Sequence, residues 1–149
     1  MQRRILNQLV LAAAMAVPYA AMAANPVIEV YKTEYCGCCK QWIKHLEANG
    51  FTVKATNVES PGDYREKLGM AKKYGSCHTG VVNGYALEGH VPASEITRLL
   101  AEKPKAVGLA VPGMPMGSPG MEGGHKDKYD VLLVQPNGDA TVYKHYDGK

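Results

Sequence analysis

The sequence has 149 residues, 46% of them hydrophobic and 21% charged, with 17 Lys+Arg against 14 Asp+Glu and a formal net charge of +3. That is enough chain for one domain with its own core. The near balance of charge, with no basic stripe interleaved with aromatics and no long like-charged block, argues against nucleic acid as a partner and against a charged tail.

Residues 1–23 read as a secretory signal. Arg3 and Arg4 form a basic start, an apolar stretch follows over 5–17, and Ala21-Met22-Ala23 has the small-x-small pattern of a cleavage site. The apolar stretch is too short and wrongly flanked for a transmembrane helix, although an uncleaved anchor is the alternative. Cleavage after Ala23 leaves one domain, residues 24–149, expected in the periplasm, and no membrane association after cleavage is expected. That compartment is oxidising, so unprotected cysteines tend to pair there. All four cysteines, Cys36, Cys38, Cys39 and Cys77, lie in the exported part.

Residues 27–33 alternate and are β-branched, which predicts a strand. The cluster Cys36-Gly37-Cys38-Cys39 follows at once. Trp42, Ile43 and Leu46 then recur at helical spacing, with Asn49-Gly50 as the stop. A second strand is predicted over 51–58. Ser60, Pro61 and Asp63 predict the start of a second helix with a capping-box spacing, ending near Gly69. Asn83-Gly84 between two apolar runs predicts a hairpin. A third helix begins near Pro92, presents Ile96, Leu99 and Leu100, and stops at Pro104. Residues 106–128 are rich in Gly, Pro and Met without periodicity and read as a long loop. A terminal hairpin is expected around Asn137-Gly138. This order predicts an α/β fold, a thioredoxin-like sandwich with a long Gly/Pro/Met-rich loop and an added C-terminal β-hairpin.

Cys36 and Cys39 form a C-x-x-C pair at a predicted helix N-terminus, where free amides and the helix dipole favour the thiolate, both nucleophile and metal ligand. Cys38, between them, is a liability for disulfide exchange and an asset for a metal site. Cys77 and His78 occupy the place beside the C-x-x-C where a thioredoxin-like fold usually has a cis-proline, so sulfur and imidazole there favour metal ligands, His78 among the candidates, over peptide binding. Two structural disulfides are the alternative for an exported chain with an even cysteine count, but three of the four cysteines are too local to close a useful loop. Met114, Met116, Met121 and His125 add donors from the loop. Thioether with thiolate points to Cu(I) rather than zinc. His90 is left open between ligand and packed residue. His45 and His145 are read as exposed and uninvolved.

The stretches YCGCC, SCHT, GYALEGHVPA, RLL and GLAVPGMPMGSPGME, spanning about Ile28 to Met121, together resemble the CopG-like copper-resistance family of exported bacterial proteins. The resemblance implies a thioredoxin-like fold and periplasmic residence. It also implies copper binding through the C-x-C-C cysteines at a site that can hold more than one ion by bridging sulfurs. On that resemblance Cys36, Cys38, Cys39 and Cys77 become the main ligands, with His90 and the loop methionines as helpers. The expected cargo is copper, Cu(I) or Cu(II), and the expected partners are copper ions and other periplasmic copper-handling proteins. The competing function is a thiol-disulfide oxidoreductase using Cys36 and Cys39. A docking module for a copper pump or oxidase is a third.

Overall fold

The computed structural model describes residues 25–149, so the expected signal segment lies outside the described residues. Strand β1 (Ile28–Lys32) buries Ile28 and Val30 by simple alternation. Helix α1 (Gly37–Ala48) buries Cys39, Trp42 and Leu46 on one stripe and ends at Asn49, followed by Gly50 at φ +83°. Strand β2 (Val53–Asn57) runs parallel to β1 and is largely exposed, as an edge strand. Helix α2 (Pro61–Lys67) begins with proline, whose missing N–H costs nothing there. The expected capping box does not form, because the Ser60 hydroxyl donates to the Asp63 carboxylate at 2.9 Å and caps no backbone N–H.

A short 3₁₀ turn (Lys72–Tyr74) leads to β3 (His78–Val82) and β4 (Tyr85–Gly89). Asn83 (φ +48°) and Gly84 (φ +83°) join them in the left-handed geometry that an Asn-Gly hairpin favours. Helix α3 (Ala93–Glu102) follows, then β5 (Gly108–Val111), β6 (Tyr129–Val134) and β7 (Ala140–Tyr146). The strands form one sheet in the order β2-β1-β3-β4-β5-β6-β7. Residues of α1 and α3 share a core with Ile28, Val30, Leu87, Leu109 and Val111. Met70, Tyr74, Ala86, Ala110 and Val134 form a second cluster. Leu109 and Ala110 alternate between the two clusters, so both faces of the central sheet are covered.

The reading of residues 106–128 as a continuous loop is corrected. Gly-Leu-Ala-Val at 108–111 is a strand, parallel to β4 and antiparallel to β6. All four residues are buried. A strand covered on both faces shows no polar alternation, so it gives no period-two signal. Gly108, which reads as a breaker, is required by close approach: a Cβ there would overlap the Ala86 carbonyl oxygen. The terminal hairpin joins the main sheet through β5.

The sheet also explains where the cysteines meet. β1 and β3 are antiparallel neighbours with Lys32 opposite His78. The chain leaving β1 toward Cys36 therefore emerges at the same end of the sheet where Cys77 enters β3. Among the described residues no helix is long and apolar enough to cross a membrane.

Candidate metal centre

Cys36 caps α1. Its sulfur accepts the Cys39 N–H at 3.3 Å, the interaction that favours a thiolate at a helix start. Cys36 and Cys39 are joined as a disulfide, while Cys38 and Cys77 are free thiols. Two stapling disulfides are thus not the arrangement. The Cys38 sulfur lies 3.6 Å from that of Cys36 and 3.7 Å from that of Cys77, which is also 3.7 Å from Cys39 Sγ. All four sulfurs lie within 4.8 Å of one another. Burial, followed by the adjacent Cys38 sulfur, pushes the Cys77 thiol up to about 12. Without a cation the site holds that proton tightly.

Cys77 also faces two imidazoles. His90 Nε2 is 3.2 Å and His78 Nδ1 3.4 Å from its sulfur. Each ring spends its other nitrogen on a carbonyl, His90 Nδ1 on Pro119 O at 2.7 Å and His78 Nε2 on Gly89 O at 2.9 Å. A carbonyl only accepts, so those nitrogens carry the hydrogens and the lone pairs are left facing Cys77. An outer carbonyl that fixes the tautomer in this way is the usual companion of a metal-binding histidine. Both rings are fully buried, and His78 lies against Trp42 with ring centres 4.3 Å apart. Burial lowers both pKa values, that of His78 to about 3, so both rings are neutral and free to coordinate at neutral pH.

Two supports hold this arrangement. Glu88, fully buried, accepts the Ser76 N–H at 2.6 Å and the Thr79 hydroxyl at 2.6 Å, and pairs with Arg65 at 3.2 Å. It therefore pins both flanks of Cys77-His78. Burial raises its pKa despite those partners. The Ser76 hydroxyl donates to Gly113 O, and a Cβ on Gly89 would strike Ser76 at 2.7 Å. The second support is Pro119-Gly120. Gly120 (φ +89°) lies against α1 so closely that a Cβ would come within 2.8 Å of Cys38 O and Trp42 N. Its N–H goes to the Glu122 carboxylate at 2.9 Å. Sequence reasoning passed over Glu88 and Gly120. The available signal for the first was a carboxylate inside an apolar strand.

The other expected donors are placed differently. Met114 is half exposed, next to the Gly113 that receives Ser76. Met116 turns its methyl toward Gly123, and Met121 is partly buried, its carbonyl accepting the Gly117 N–H at 2.8 Å. His125 is exposed, 3.4 Å from Asp127. His145 is exposed as expected, between Asp130 and Asp147. His45 is not simply exposed: it is half-buried, and its Nε2 accepts the Ala93 N–H at 3.0 Å, so it caps α3. A cleft of about 610 Å³ lies between residues 117–127 and the terminal hairpin, with His45, Glu122 and His145 in its wall and none of the four cysteines.

Known proteins agree with this architecture. Residues 74–121 match a family model described as "Protein of unknown function, DUF411". A solved structure named "Copper resistance protein copG- Form 1" is 48% identical, with a TM-score of 0.79, over 83% of this chain and 99% of its own. The chain belongs to the CopG copper-resistance family. A second CopG structure, "Form 2", gives 48% identity and a TM-score of 0.78 over 82% of this chain and 98% of its own. No curated protein matches the chain. The match to the DUF411 family model begins at Tyr74 and ends at Met121, so it spans Cys77, His78, His90 and Gly120 but not the C-x-C-C turn.

Proposed function

We propose that the protein is a periplasmic copper-binding protein of copper resistance or homeostasis, built on a thioredoxin-like frame. It holds Cu(I) on reduced Cys36, Cys38, Cys39 and Cys77, at a site able to take more than one ion through bridging thiolates. The carrying observation is the Cys77 sulfur, in contact with two sulfurs of a separate segment, all four within 4.8 Å. Four soft donors at that spacing fit a monovalent coinage metal. The same pair allows interconversion: two Cu(II) ions each gain one electron as the Cys36 and Cys39 thiols lose two electrons and two protons to form the disulfide.

The disulfide itself favours a second reading, a thiol-disulfide oxidoreductase with Cys36 at the helix start as the attacking thiolate. Against it stand the two extra sulfurs crowding the pair and the all-trans backbone at Ser76-Cys77. Anaerobic Cu(I) loading of wild type and of single Cys→Ser variants, beside an insulin-reduction assay, separates the two. Several tightly bound ions, fewer in each variant, with no insulin turnover support the copper reading. Brisk turnover without copper and an inert Cys38→Ser support the enzyme.

A further inference from the structure

Helix α1 grips the chain just past His90 at two points. The Trp42 indole N–H donates to Val91 O at 2.8 Å, and His45 Nε2 accepts the Ala93 N–H at 3.0 Å. Ala93 is the first residue of α3, and Pro92 before it offers no side-chain cap. His45 therefore supplies the acceptor for that helix start from another helix. An imidazole accepts only through a nitrogen without a hydrogen, so the neutral ring carries its hydrogen on Nδ1. A second proton, on Nε2, would set two donors against each other and place a cation at the positive end of α3.

The ring also lines the cleft of about 610 Å³. The titratable groups facing that cleft are Glu122, Lys126 and Asp127 from the loop, and Lys144, His145, Asp147 and Lys149 from β7 and the residues after it. Burial lowers the His45 pKa, while the Glu122 carboxylate acts the other way and favours the imidazolium. Glu122 accepts the Gly120 N–H, next to the Pro119 carbonyl that holds His90 Nδ1. A protonated His45 would leave Ala93 and be drawn toward the segment that orients His90.

We infer that His45 is a positioning residue with a titratable grip: neutral, it caps α3 and fixes the 90–93 corner that carries His90, and protonated, it releases that corner. The consequence for metal rests on the copper reading, whereas the cap does not. The folded-state pKa lies below the ordinary imidazole value, so the stability from the cap is complete above about pH 6.5 and is lost as pH falls through the folded-state value. Linkage is reciprocal, so a metal held with the help of this corner keeps His45 neutral to lower pH.

Thermal unfolding of the wild type, His45→Gln and His45→Ala at about pH 7.5 and about pH 5 tests the cap. Glutamine accepts through its carbonyl and does not titrate. At the higher pH His45→Ala should melt about 4 °C below the wild type and His45→Gln within about 2 °C of it. At the lower pH His45→Gln should be more stable than the wild type. Imidazole NMR of the wild type should show the His45 hydrogen on Nδ1 and His90 signals that move as His45 titrates. Parallel pH profiles for the wild type and His45→Gln, or an unchanged His45→Ala midpoint at the higher pH, overturn the inference. Cu(I) retention by the reduced chain against a chelator reads the coupling: between the two pH values the wild type should lose about fivefold more affinity than His45→Gln. Equal losses overturn the link to the centre and leave the copper reading standing. No Cu(I) uptake by any of the three defeats the copper reading, and the melting profiles still decide the cap.

Discussion

Two stretches of this chain are rich in soft sulfur donors, and the fold uses them differently. At the β1–α1 turn three cysteines converge with Cys77, because the antiparallel β1/β3 register delivers both segments to one end of the sheet. Residues 112–128 carry three methionines, yet their clearest contributions to the centre are backbone groups: the Pro119 carbonyl on His90 and the Gly120 backbone against Cys38 and Trp42. Donor composition marks both stretches. Strand pairing decides which one forms the first set of ligands and which one braces it.

Substitutions test this contrast. The largest effect is expected at Cys77, which faces sulfur on one side and imidazole on the other. Cys77→Ser should lower Cu(I) stoichiometry most, read as metal per chain, and Cys38→Ser should lower it less. Next comes Glu88→Ala, which leaves Arg65 in a buried site without its partner and frees the Ser76 N–H. A loss of about 3–5 kcal/mol in denaturant unfolding is expected. Gly120→Ala forces a Cβ into α1 and draws the carbonyl from His90. Metal affinity should fall by about tenfold, with a change in His90 imidazole resonances.

The pH dependence has a definite sign. The Cys77 thiol is pushed up to about 12, so at neutral pH a metal must displace its proton, and affinity rises with pH. His78, lowered to about 3, and His90, also lowered, hold no proton to displace at neutral pH. Proton release measured by calorimetry in several buffers should therefore count thiols only. The smallest effects belong to the loop side chains: Met114→Leu and Met116→Leu should weaken Cu(I) retention by less than about tenfold, and His125→Ala should leave it within about 0.5 kcal/mol of wild type.

Much of this was legible from residue pattern. The α/β order, the Asn83-Gly84 turn and the cysteine position after β1 follow from local signals, because each is a short-range preference, and the approach of Cys77 to the C-x-C-C turn follows from the strand layout expected of that element order. β5 was not legible: a strand buried on both faces loses its alternation, and Gly108 imitates a breaker while serving a close contact. The role of His45 was hidden because the N–H it caps, that of Ala93, lies on another element. Glu88 and Gly120 act through tertiary contacts with Ser76 and Cys38, which no spacing along the chain encodes.

The sharing of one distant sulfur by the C-x-C-C turn is tested most directly by copper X-ray absorption on the reduced, Cu(I)-loaded chain, compared with Cys77→Ser. The account predicts a sulfur-dominated shell with copper–copper scattering in the wild type, and loss of that scattering in the variant. Identical spectra for the two, or a wild-type shell dominated by nitrogen or oxygen, would contradict it.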